Sequence, residues 1–135
     1  MDSRDKNLLD QRPVIESAVI TSTTLPDESF QNRTLRPVIL LQNDLLIEAF
    51  RNYVQKHKNV FYEMSVEKKL SYIENAVQKD IKFRNSLKGM IIGQFTIEEY
   101  RFYITNSSAL NKRMMNLVRE RIQSNIQLFD SRISV

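Results

Sequence analysis

The chain has 135 residues and a mass of 16.0 kDa, the size of one ordinary domain. It is 41% hydrophobic and 27% charged, with no Cys, no Trp, one His and two Gly. Those counts exclude a disulfide framework, thiolate catalysis, a zinc ribbon, an iron–sulfur cluster, a two-histidine metal site within one chain and a Gly-rich phosphate loop.

The net charge of +4 is uneven: −2 over residues 1–34, +4 over 35–92 and +2 over 93–135. A positive body admits nucleic-acid binding through phosphate neutralisation, but this charge also keeps a small domain soluble. No apolar run reaches the roughly 18 residues of a membrane helix, and the N-terminal residues carry no export-type apolar core. The expected address is the cytoplasm, with no membrane contact and no cofactor.

Residues 1–33 read as an irregular arm. They hold Pro13, Pro26 and the cluster Thr21-Ser22-Thr23-Thr24, with no sustained helical period. Val14, Ile15, Val19 and Ile20 suit a short extended piece. Residues 34–135 read as a helical bundle domain. Thr34 is a candidate cap and Pro37 a first-turn residue for a helix over 35–57. Val38, Leu41, Leu45, Ala49, Phe50, Tyr53 and Val54 recur at three- and four-residue steps, and Ile39, Leu40, Leu46 and Ile47 widen the stripe. A helix apolar nearly all round belongs at the centre of a bundle. Lys56, His57 and Lys58 close it with positive charge.

Ser65 reads as the next N-cap. Val66, Leu70, Ile73, Val77 and Ile81 form a stripe over 66–79 that continues through Phe83, Leu87, Met90 and Ile91 to about residue 92, with a kink at Asp80. Gly93 suits a left-handed helix terminator, and Gly89 calls for a crossing helix or a partner. Thr96-Ile97-Glu98-Glu99 is a capping-box pattern opening a helix over 97–104, although Tyr100, Phe102 and Ile104 also alternate as in a strand. The last helix, 108–129, carries Leu110, Met114, Leu117, Val118, Ile122, Ile126 and Phe129. Met115 falls off that stripe, as an exposed contact residue would. The expected fold is all-α, a four- to five-helix bundle with an irregular N-terminal arm.

Three groups bear on function. His57, the one imidazole, reads as a helix-end cation rather than a catalyst. Glu63, Glu67 and Glu74 read as a solvated, ion-paired face. Lys79, Lys82, Arg84, Asn85 and Lys88 form the densest basic stretch and the best candidate for an anion or an acidic partner. Lys112, Arg113 and Asn116 open the last helix and give a weaker candidate nucleic-acid contact, helix-turn-helix in style. No residue is assigned to catalysis and none to metal.

Leu41–Leu45, Lys79–Thr96 and Asn106–Asn116 resemble segments of short, uncharacterised bacterial helical proteins, some of which carry a glyoxalase or glyoxalase-related label. The resemblance spans about two-thirds of the chain and leaves the arm unmatched. It implies a lyase acting on a thiol conjugate. Metal-dependent glyoxalases use strand-borne His and Glu ligands in βαβββ modules, so no residue here matches a catalytic position. The expectation is a non-catalytic protein-interaction or oligomerisation module, acting on itself as a homo-oligomer or on a protein partner. A nucleic-acid-binding helical protein and a glyoxalase-related lyase are the alternatives.

Overall fold

A computed structural model describes residues 3–15 and 25–129. The described residues are helical and contain no strand, as an all-α fold requires. Eight α-helical segments replace the four or five expected: α1 (Ser3–Gln11), α2 (Pro26–Phe30), α3 (Arg36–Leu41), α4 (Asn43–Lys56), α5 (Val66–Lys79), α6 (Ile81–Ile92), α7 (Ile97–Tyr103) and α8 (Ser107–Ser124). Short 3₁₀ turns cover Val60–Glu63 and Ile126–Phe129.

The N-terminal region departs from the irregular arm expected of it. Residues 3–11 form α1, and residues 26–41 form one continuous rod. The rod consists of α2, a π-helical stretch Gln31–Leu35 and α3, with right-handed helical torsions at both junctions. Thr34 is therefore not a cap, and Pro37 lies inside the rod. In a regular α-helix its ring would clash with the carbonyl of Arg33. The wider π turns end immediately before it and give that ring room. Val14 and Ile15 follow α1 outside any helix, whereas Val19, Ile20 and the Thr21–Thr24 cluster lie outside the described residues.

The expected 35–57 helix is broken at Gln42, whose torsions (φ −88°, ψ 6°) separate α3 from α4. The break rotates the apolar register. Leu46 is fully buried while Leu45, expected in the core, is 46% exposed. The central position belongs instead to α8, which packs on α3, α4, α5, α6 and the π stretch. Met115 is fully buried there, not exposed, because α8 has neighbours on several sides. Its last turns are 3₁₀, which brings Phe129 into the cluster of Phe50, Phe61 and Tyr72.

Several local expectations gain a geometry. Ser65 Oγ accepts from the Lys68 N–H and caps α5. Asp80 takes extended torsions (φ −79°, ψ 100°), so the expected kink is a true break, and its carboxylate caps α6 by accepting from Phe83 N–H. Val66 and Ile81, each next to such a cap, are exposed rather than core. Gly93 ends α6 with a right-handed φ of −59°; the left-handed residues are Lys58 and Asn59, after α4. No crossing helix lies over Gly89, whose missing side chain faces open space.

The turn 93–99 collects the N-terminal region. Residues 97–103 are helical, and Thr96 and Glu99 form the reciprocal capping box expected of them. Arg12 donates both guanidinium arms to Glu99, at 2.6 and 2.7 Å, and a further bond to the Gln94 carbonyl at 2.7 Å. Thr34 Oγ1 donates to the same carboxylate at 2.8 Å. Arg4 donates to the carbonyls of Phe95 and Gly93, and Asp5, itself buried, accepts from Ile97 N–H. Burial alone would raise the Glu99 carboxyl; the bonds from Arg12, the Thr96 N–H and Thr34 outweigh it and hold the group below its usual range.

Two expectations follow. Leu46→Ala should cost about 2–5 kcal/mol by opening a cavity, whereas Leu45→Ala should be nearly neutral, both read by urea unfolding. Equal losses at the two sites would overturn the register. Arg12→Ala should cost about 3 kcal/mol by stranding a largely buried carboxylate. The Glu99 contribution is present above the ordinary carboxylate range and fades as pH falls through the lowered folded value. Thermal unfolding against pH should therefore be steeper on the acid side for the wild type than for Arg12→Ala.

Candidate functional site

Helices α4 and α6 run antiparallel along one side of the molecule. Tyr53 Oη donates to Asp80 Oδ2 at 2.9 Å at one end, and Gln42 Nε2 donates to the Met90 carbonyl at 2.8 Å at the other. Between these ties lies an open groove of about 710 Å3. Its apolar lining is Leu45, Ala49, Phe83 and Met90. Lys56, His57, Lys82 and Asp80 gather at the Tyr53 end, and Glu48 and Ser86 lie towards the other. The three-to-four-residue spacing of α4 puts Leu45, Ala49, Asn52, Tyr53 and Lys56 along one line, and that of α6 does the same for Lys82, Phe83, Ser86 and Met90.

Tyr53, Asp80 and His57 are already engaged. Asp80 accepts from Phe83 N–H and from the Tyr53 hydroxyl, and these two bonds, the first the larger, hold its carboxyl below its usual range. Burial, followed by the bond to Asp80, raises the Tyr53 phenol, which stays protonated. His57 caps the end of α4. Its ring stacks on Tyr53 with centroids 4.1 Å apart, and Nδ1 lies 2.8 Å from the Tyr53 carbonyl oxygen. A carbonyl only accepts, so Nδ1 carries the hydrogen. A carboxylate held as an acceptor, a protonated phenol and an imidazole tied to its own helix make a clamp between α4 and α6. The Tyr53 hydroxyl bonds to a carboxylate held below its usual range while its own ionisation is pushed up, so the bond does not activate it.

The basic stretch does not converge. Lys82 lines the groove, whereas Lys79, Arg84, Asn85 and Lys88 do not. Positions 84 and 88 lie on a different side of α6 from 82, as helical geometry demands. Arg84 comes within electrostatic reach of Tyr103, and Lys79 and Asn85 are exposed. On α8, Arg113 donates to Gln31 Oε1 at 2.9 Å and Asn116 accepts from Gln78 at 3.0 Å, while Lys112 is exposed. Of the three glutamates, Glu74 pairs with Arg119 of α8 at 2.8 Å, not with a lysine of its own helix. Lys69 holds its ammonium over the Phe61 ring at 5.4 Å. The Tyr53–Asp80 tie had a readable half: Asp80 three residues before Phe83 is an N-cap spacing. Its partner on α4 carries no local signal.

Among the described residues no group of three or more Asp, Glu or His side chains is placed to hold a metal ion, and no helix is long and apolar enough to cross a membrane. No protein-family profile, curated protein or solved structure matches the chain.

Asp80→Ala removes both the α6 cap and the Tyr53 acceptor. Stability should fall by about 1 kcal/mol. The Tyr53 phenol should ionise at lower pH, still above its ordinary value because burial remains. Ultraviolet titration of tyrosinate absorbance reads this shift; an unmoved titration would show that the clamp does not operate in solution.

Proposed function

We propose that the protein is a non-catalytic protein-interaction module that presents the α4–α6 groove to a helical segment of another polypeptide. The observation carrying this reading is the apolar floor of Leu45, Ala49, Phe83 and Met90 left open between two helices, with Leu45 nearly half exposed. Amphipathic helices bind such grooves through anchors spaced three, four and seven residues apart. The clamp of Tyr53 and Asp80 keeps the groove preformed, which reduces the ordering cost of binding. The nucleic-acid reading draws less support, since Lys82, Arg84, Lys88, Lys112 and Arg113 occupy different sides of two helices and Arg113 is tied to Gln31. The lyase reading has no donor set behind it.

A photo-crosslinking residue at position 45, introduced in the expressing cell, tests the proposal. It should give a covalent adduct with a polypeptide, and the same residue at exposed Asp10 should not. A folded protein with no adduct at position 45 beyond the Asp10 background would overturn it.

A further inference from the structure

Helix α7 carries the counterpart of the groove. Its inner side is occupied by the capping box, by Arg12 and by the buried Tyr103. Its outer side leaves Ile97, Tyr100 and Ile104 exposed at 45%, 46% and 55%. These positions, i, i+3 and i+7, are the anchor spacing by which a helix enters an apolar groove. None of the three lines the groove of its own chain.

We infer that the groove's occupant is α7 of a second copy of this chain, seated by Ile97, Tyr100 and Ile104 between α4 and α6. The inference rests on the reading of the groove as a docking site and adds its partner. Charge supplies the direction. Lys56 and Lys82 stand at one end of the groove and Glu48 towards the other. Along α7 the exposed Glu98 comes first and the exposed Arg101 follows one turn later. Placing Glu98 at the lysine end sets opposite charges together and leaves Arg101 towards Glu48, which already pairs with Arg51 at 2.6 Å, whereas the reverse placement sets Arg101 against the two lysines. The lysine end also receives the acidic first turn of α7.

Donor and acceptor surfaces are different patches of one chain. Two copies can therefore exchange helices reciprocally about a twofold axis, which makes the assembly isologous, or a series of copies can grow head to tail through heterologous contacts. With three anchors the contact belongs to the small, weak class, so association appears at high micromolar rather than nanomolar concentration.

The test uses the full chain and two variants at exposed positions, Leu45→Lys in the groove and Tyr100→Lys on the stripe. Sedimentation equilibrium at high micromolar loading should show the wild type as dimer or larger relative to its 16.0 kDa monomer. Each variant alone should self-associate at least about tenfold more weakly, the loss expected for removing a central anchor. A mixture of the two should regain a 1:1 complex, because one intact groove then meets one intact stripe. Unchanged thermal unfolding of both variants confirms that they fold; Ile104→Lys replaces Tyr100→Lys if that variant does not. A monomeric wild type overturns the inference, as does self-association that survives Tyr100→Lys or a mixture that stays monomeric. A foreign adduct at position 45 together with a monomeric wild type would overturn the second copy as partner while leaving the groove as a docking site.

Discussion

Arg12 and Glu99 hold the N-terminal region against the start of α7. The guanidinium meets the carboxylate with both arms, and that carboxylate also caps its own helix and accepts from Thr34 of the rod. One side chain thus ties α1, the 26–41 rod and α7 in a single network. The two groups keep little access to water, and although Arg12 Nε is left without a hydrogen bond, the bonds of its two Nη atoms and of Glu99 make the members act as a unit. Arg4 and Asp5 extend the same logic to the rest of the turn, where they satisfy the carbonyls of Gly93 and Phe95 and the first free N–H of α7. The orientation of α7 depends on this turn. Its inner surface is spent on the network, and its outer surface is consequently apolar and uncovered.

What was legible in the sequence were features whose physics is local. Ser65 and the Thr96–Glu99 box each need only neighbours within a few residues, and each has its expected form, while the apolar stripe of α8 has its expected core in Leu110, Met114, Val118 and Ile122 although the α-helix ends at Ser124. What was not legible required partners far along the chain. Residues 3–11 have a weak apolar stripe of their own, and their helix docks through Arg4, Asp5 and Arg12 onto a turn more than eighty residues away. Gln42 interrupts an unbroken apolar period because its side chain caps the Met90 carbonyl across the groove. Once that break is made, the stripe that seemed to include Leu45 passes to Leu46 and Ile47. Met115 differs for the opposite reason: the neighbours of α8 cover more of its circumference than one apolar stripe, and its solvent side is left to Lys112, Asn116 and Glu120.

The groove shows the same division. Lys82 was within reach of composition alone, as part of a dense basic stretch. Its neighbours Arg84 and Lys88 belong to another side of the helix and do not line the groove. The groups that give the groove its shape, Tyr53 and Asp80, each read as something else in sequence, a core aromatic and a kink. Their hydrogen bond ties α4 to α6, and the bonds around it leave Tyr53, Asp80 and His57 engaged. Preformed and chemically quiet is the combination expected of a surface that recognises shape.

The position of the partners of α1 has a consequence for synthesis. Arg4, Asp5 and Arg12 all bond to residues 93–99. A nine-residue helix is marginal by itself in water. On the ribosome, its docking site does not exist until roughly two-thirds of the chain has emerged. Helix α1 therefore settles well after its own synthesis, and a nascent chain stalled before that turn leaves it unanchored.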